Sequence, residues 1–371
     1  MNTANTANTA NTANTANTAN TANTQAQQAP KICCFDSGEA YTGVKNNTLV
    51  FGYTMPSARV PKAEPNYVYP DWSRDIIKWL QASTPQGQDN TQAQVYNEPL
   101  YVFGPTGCGK TSCIKQIMSR INIPVYEVTG HSRLEFVDLC GHHTLTNGSM
   151  HYAYGPLAIA MREGGVFLLN EIDLLDPSTS AGLNSILDGS PLVLADNGGE
   201  VIKPHPLFRF IATANSNGGN DETGLYQGVL RQNLAFMDRF LLARATYLPQ
   251  ETEVLLVTKT APSLPKDLVY KLVTYANDVR RLFEKTSVDI GIDITLSTRT
   301  LIRWARLIES NKDIASHTNV IAYALDRALG HRASASAKPT LDELLQRLFG
   351  DRDNTTNNTD TDTDTDTDTD K

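Results

Sequence analysis

The chain reads as an α/β protein: a parallel sheet flanked by helices, followed by a smaller, all-helical C-terminal region. Three observations predict this. Between residues 98 and 215, short apolar runs of β-formers alternate with segments of helical periodicity, the pattern of a parallel sheet with crossover helices. A complete G-x-x-x-x-G-K-[ST] sequence, Gly104-Pro105-Thr106-Gly107-Cys108-Gly109-Lys110-Thr111, lies between the first such run and the first such helix. After Gln250 the pattern turns helical to about residue 349, with no strong strand.

The elements follow in order. Residues 31–90 are rich in Pro, Tyr, Gly and Asn, and one helix is expected there, over 71–81, with Trp72, Ile76, Ile77, Trp79 and Leu80 on its apolar side. The polar run 84–97 reads as a loop. A strand over 100–103 leads into the glycine loop, and Ile114, Ile117 and Met118 set the helical spacing of 112–120. A second strand is expected at 124–128 and a helix at 133–139. In 142–154, Asn147-Gly148 between β-formers signals a hairpin. A helix over 155–163, an apolar strand over 166–169 and a helix over 177–187 come next. A second hairpin is expected at 192–202, around Asp196-Asn197-Gly198-Gly199, and then a strand over 208–213. The division expected is an Asn-Thr-Ala tail (1–30), an N-terminal extension (31–97), an α/β domain (98–249), a helical lid (250–349) and an acidic tail (350–371).

Both tails are low in complexity. Residues 2–22 are seven copies of Asn-Thr-Ala and residues 359–370 are six copies of Thr-Asp. Neither holds a large apolar side chain, so burial cannot offset the entropy of ordering them, and both are expected to be disordered. The net charge of −8 resides mostly in the C-terminal 21 residues, where eight aspartates face only Arg352 and Lys371. With −6 assigned there, the body carries −2, and it contains no basic runs, which argues against a nucleic-acid surface. The five cysteines fall at 33, 34, 108, 113 and 140, with no metal-type C-x-x-C spacing. No stretch approaches membrane-spanning length and no signal peptide is evident, so a cytoplasmic protein with reduced thiols is expected.

The glycine loop implies phosphate binding. Its glycines let backbone N–H groups curl around the β- and γ-phosphates, and the following helix offers its positive end. The set expected to touch nucleotide is Gly104, Pro105, Thr106, Gly107, Cys108, Gly109, Lys110, Thr111 and Ser112. Lys110 neutralises phosphate oxygens and the Thr111 hydroxyl ligates Mg²⁺. Hydrolysis also needs a group to activate water, a γ-phosphate sensor and positive charge for the transition state. Glu171, just past the strand at 166–169, is placed to activate water, and Asn170 to face the metal through a water. Asn215 ends the next strand and is placed to hold that water or read the γ-phosphate. Arg239 follows a Gly-containing loop and short helix, and Arg299 opens a helix of the C-terminal region.

Taken together, the loop at 104–111, Asn170-Glu171, Asn215, Met237-Asp238-Arg239-Phe240 and Ser297-Thr298-Arg299 resemble an AAA+ ATPase of the MoxR type, in the dynein-related subgroup. The hairpin at 142–154 resembles that group's insertion after its second helix, and 192–202 its hairpin before sensor 1. More narrowly, the run 205–215, Thr223-Gly224-Leu225-Tyr226 and Tyr247-Leu248-Pro249 resemble the ATPase subunit of aerobic cobalt chelatase. The resemblance spans roughly 50–310. It implies a ring, usually of six, with ATP and Mg²⁺ at subunit interfaces. Within it Glu171 is implied as catalytic base, Asn215 as sensor 1, Arg239 as a finger acting on the neighbour's ATP and Arg299 as sensor 2. It also implies action on a partner with a von Willebrand factor A domain, often to load a metal or cofactor. One departure stands out: the family usually has Asp where this chain has Asn170. A neutral amide holds the metal's water shell less strongly, which points to slow hydrolysis, whereas the intact Glu171 speaks against a dead site. Three readings follow: a ring remodeller of a separate protein, the motor of a cobalt chelatase, and a slow nucleotide-gated assembly scaffold.

Overall fold

The computed structural model describes residues 31–84, 98–219, 228–284, 292–312 and 319–350. The two repeat tails, the polar run from 85 and the 223–226 segment lie outside the described residues. The centre is a five-stranded parallel sheet of β3 (Leu100–Phe103), β4 (Val125–Thr129), β7 (Val166–Asn170), β10 (Arg209–Ala214) and β11 (Leu241–Arg244), in the order β11-β3-β10-β7-β4. Crossovers between parallel strands bring the C-terminal ends of β3, β7 and β10 to one edge, where ligands bind in such sheets.

Side-chain alternation along the strands builds two cores. Tyr101, Phe167, Leu169, Phe210 and Ala212 face one layer, with Phe236 and Phe240, against α5 (Pro156–Glu163) and α6 (Pro177–Leu187). Leu100, Val102, Val166, Leu168 and Ile211 face the other, against α3 (Lys110–Arg120) and the N-terminal extension. β7 and β10 are buried along their whole length, as expected of near-continuous apolar strands covered on both faces.

Several boundaries moved. α3 starts at Lys110 rather than 112, because Gly109 adopts the left-handed conformation (φ 96°) that lets the chain turn straight from loop to helix. α4 is Phe136–Cys140, shorter at its start than the span 133–139, since Glu135 is extended and forms a capping box with Asp138. The hairpin strands β5 (Gly141–Thr146) and β6 (Ser149–Tyr154) run one or more residues beyond their expected spans, and β8 (Leu192–Leu194) and β9 (Glu200–Ile202) form the second hairpin. α7 is a single short turn, Leu234–Met237.

Two features escaped the sequence reading. The extension contains an antiparallel pair, β1 (Ile32–Asp36) and β2 (Leu49–Tyr53), joined through α1 (Ser37–Thr42). Asp36 holds this connection by accepting from the backbone N–H of Glu39, Asn46 and Asn47, and those bonds keep its carboxyl below the usual carboxylate range. β11 is an edge strand in which only Ala243 is buried, so it shows no apolar period. The helix of the extension, α2 (Ser73–Ala82), packs Ile76 and Trp79, together with its N-cap Trp72, onto the sheet's second core.

From Gln250 onward, α8 (Gln250–Thr260), α9 (Lys266–Glu284), α10 (Thr298–Ser310), α11 (Val320–Ala328) and α12 (Ala337–Phe349) surround their own core, in which Tyr275 and Trp304 meet edge to face at 5.1 Å.

Candidate nucleotide-binding site

The glycine loop wraps its own lysine. Lys110 Nζ is buried and donates to the carbonyls of Gly104 (2.7 Å) and Pro105 (3.1 Å) and to Asn215 Oδ1 (3.0 Å). Burial is the largest influence on its ammonium and pulls its pKa below the usual lysine value, against the attraction of Glu171 and Asp173. Burial likewise pushes the Cys108 thiol up, leaving a protonated, inert sulfur in the loop. Gly107 closes the loop onto the helical region: a Cβ there would lie 2.5 Å from Ser297 Oγ, the N-cap of α10.

The three strand ends carry the polar groups. At the end of β7, Asn170 Oδ1 accepts from the hydroxyls of Thr111 (2.7 Å) and Thr213 (2.9 Å), and its Nδ2 donates to Glu127 Oε1 (2.8 Å). Glu171 follows with φ 55° and ψ 41°, a left-handed backbone that costs a non-glycine residue of order 1 kcal/mol or more. That turn aims its carboxylate at Asn215, whose Nδ2 donates to Glu171 Oε2 at 3.0 Å. Asn215 therefore stands between Lys110 and Glu171, accepting from the cation and donating to the acid.

Five contributors were not foreseen. Asp173, fully buried, accepts from the backbone N–H of Asn215 (2.9 Å) and Ser216 (3.1 Å) and so fixes the strand end that presents Asn215. Its place two residues after Glu171 was a readable signal. Glu127 on β4 reaches the site across the sheet, which no local pattern reveals. Arg244, at the end of the unforeseen β11, lines a cavity of about 510 Å³ with Pro105, Asn215 and Asn217. Finally, Tyr67 and Val68 of the extension wall a larger cavity of about 720 Å³, opposite Leu256, Arg299 and Ile302 and beside Gly107 to Gly109. An apolar cavity with a few charged groups at one end suits a nucleotide base and ribose.

The expected arginines separate. Arg299 lies on α10 beside the loop, its Cβ 3.6 Å from where a Gly107 Cβ would be, and Arg303 and Arg306 line the same cavity. Arg239 is not among the residues that line either cavity. Its guanidinium clasps Asp188 at the end of α6 with bonds of 2.8 and 3.1 Å and also donates to the Ala235 carbonyl. A buried network ties the loop to the helices. Arg280 (α9) grips Glu253 (α8) through two bonds of 2.7 and 2.8 Å, and Thr298 (α10) donates to the same carboxylate at 2.6 Å. Arg280 also stacks 4.0 Å from the ring centre of Tyr247, whose hydroxyl donates to the Thr106 carbonyl of the glycine loop.

A phosphate loop on a parallel sheet, with acid and amide at the neighbouring strand ends and a helical region closing over the loop, defines an ATPase of the AAA+ class. Comparison with known proteins places it more narrowly. The family model "AAA domain (dynein-related subfamily)" matches residues 99–240, and "CbbQ/NirQ/NorQ C-terminal" matches 251–348. The chain belongs to this MoxR-type family of AAA+ ATPases. It is 30% identical to the denitrification regulatory protein NirQ of Stutzerimonas stutzeri, covering 59% of this chain and 75% of that one. It is 28% identical to the aerobic cobaltochelatase subunit CobS of Sinorhizobium sp (74% and 80% covered) and to the protein NorQ of Paracoccus denitrificans (72% and 93%). Among solved structures, a RuvB mutant of Thermotoga maritima aligns over 62% of each chain at 12% identity with a TM-score of 0.41, too distant to add to the sheet order.

Proposed function

We propose that the chain binds Mg-ATP between the glycine loop and α10 and hydrolyses it as a six-membered homo-oligomeric ring that remodels a separate protein. The observation that carries this reading is the series Lys110–Asn215–Glu171, in which one neutral amide spaces a phosphate-binding cation from a water-activating acid. Lys110 and the backbone of residues 104–112 hold the β- and γ-phosphates. Glu171 takes the proton of the attacking water, which Asn215 positions. Arg239 serves the neighbouring protomer's ATP, and Arg299 senses the nucleotide from the helical lid, 250–349.

The donor set suits Mg²⁺. The Thr111 hydroxyl, bonded to Asn170 Oδ1 at 2.7 Å, would hold the cation together with nucleotide phosphates and waters. When bound, it screens charge on the β- and γ-phosphate oxygens.

The partner proposed carries a von Willebrand factor A domain and receives a metal or cofactor, a reading supported by the MoxR-type resemblance and by the kinship to a cobaltochelatase subunit and to NirQ. Service to a cobalt chelatase is the narrower version, and corrin-synthesis genes beside this one would favour it. Action in the cytoplasm is proposed; no described helix is long and apolar enough to cross a membrane. The alternative, a slow nucleotide-gated scaffold, is favoured by one observation, the amide at Asn170.

Glu171→Gln separates these. In a working motor the variant binds ATP as wild type, loses at least about 10²-fold in turnover, and accumulates as an ATP-loaded ring in size-exclusion chromatography. Rapid steady-state hydrolysis in wild type that is unchanged by the substitution removes Glu171 from the role. Wild-type turnover already as slow as the variant's supports the scaffold.

A further inference from the structure

Glu127 has no place in the expected site, yet it accepts a hydrogen bond from the Asn170 amide. Thr111 and Lys115 lie one helical turn apart on α3, above Asn170 and Glu127 on β7 and β4. The contacts are complementary. Both hydroxyl donors, from Thr111 and Thr213, reach Asn170 Oδ1, and the amide nitrogen donates to Glu127 Oε1. The other oxygen of Glu127 pairs with Lys115. This arrangement allows one orientation of the amide, oxygen toward Thr111 and nitrogen toward the carboxylate. An aspartate at 170 would have no hydrogen to give Glu127, and two carboxylates would meet where a 2.8 Å hydrogen bond now lies.

We infer that Glu127 is a positioning residue for the Mg²⁺ side of the site: oriented by Lys115, it fixes and polarises the Asn170 amide so that its oxygen serves the metal-bound water shell. Asn170 and Glu127 are thus a matched amide–acid pair, with the acid one strand outward from the amide. The inference rests on the reading of Thr111 and Asn170 as the metal side.

The test is the Mg²⁺ dependence of fluorescent-ATP binding, titrated from EDTA to saturating Mg²⁺ in the full chain, with thermal melting as a second readout. Glu127→Gln, which keeps an acceptor but loses the charge, should raise the Mg²⁺ concentration for half-maximal binding several-fold, with EDTA-state affinity unchanged. Asn170→Asp alone should lower the melting temperature in EDTA, because like charges meet where a hydrogen bond now lies. Asn170→Asp with Glu127→Gln reverses donor and acceptor in the same contact, and should return the melting temperature in EDTA to near the wild-type value. Such rescue is non-additive, the mark of direct coupling. The inference is overturned if Glu127→Gln leaves Mg²⁺ dependence unchanged, or if the double variant is no better than Asn170→Asp. Binding by wild type that ignores Mg²⁺ altogether would instead overturn the metal-side reading, and this inference with it.

Discussion

In the helical region, Arg280 and Glu253 are 6% and 0% exposed at their side chains and satisfy one another. Four hydrogen bonds leave Arg280, two of them to Glu253, and Thr298 adds a donor to the same carboxylate. At the ends of β3, β7 and β10, a cation and an acid also lie close, but they do not pair. The described bonds of Lys110 go to two carbonyls and an amide, and Glu171 accepts from the other end of that amide. The first arrangement uses its charges to hold helices together. The second keeps its charges apart with Asn215, which on the proposed function leaves room for an anionic ligand and a water in place of an ion pair. The difference separates structural charge from functional charge better than burial does, since Lys110 is itself buried.

The comparison predicts opposite phenotypes. Lys110→Ala should abolish saturable binding of a fluorescent ATP analogue while changing the melting temperature little, since the ammonium holds no carboxylate. Wild-type affinity in that variant would break the functional half. Arg239→Ala should slow hydrolysis by about 10³-fold, the scale of an arginine supplied in trans. Its own pocket should still bind ATP, and mixing with Lys110→Ala should recover activity at interfaces that join an intact Arg239 to an intact Lys110. Mixed rings with no recovery at any ratio would exclude action on a neighbour. In the structural half, Glu253→Ala strands a buried guanidinium and should cost about 3–5 kcal/mol in denaturant unfolding, with Glu253→Leu/Arg280→Met regaining most of it. A cost below about 1 kcal/mol would mean that the pair is not holding the helices.

Much of this was readable in the sequence, and what was not follows a physical pattern. The glycine loop, the strands over 100–103 and 166–169, and both hairpins announce themselves through local spacing, because turn chemistry and covered strands leave unambiguous residue patterns. β11 did not, since an edge strand that buries only Ala243 has no apolar period. The β1–β2 pair did not, because its connection holds a short helix in place of a tight turn. In the site, Lys110, Glu171, Asn170 and Asn215 were legible as strand-end and loop residues, and the structure brings all four together. Glu127 and Arg244 were not, as their relevance depends on which strands lie beside β7 and β3. Nor was the clasp of Arg239 by Asp188, a contact between residues 51 apart.

Asn215→Asp tests most directly whether a neutral spacer between Lys110 and Glu171 is what makes this a nucleotide site. The substitution is nearly isosteric, and Asp173 can still hold the backbone N–H at 215. A carboxylate there would pair with Lys110 where phosphate should bind and would repel Glu171. Isothermal titration with a non-hydrolysable ATP analogue should then show affinity falling at least about tenfold, a loss of about 1.4 kcal/mol, with the fold intact by circular dichroism. Affinity equal to wild type would contradict the account, because a fixed ion pair at Lys110 would then leave phosphate binding untouched.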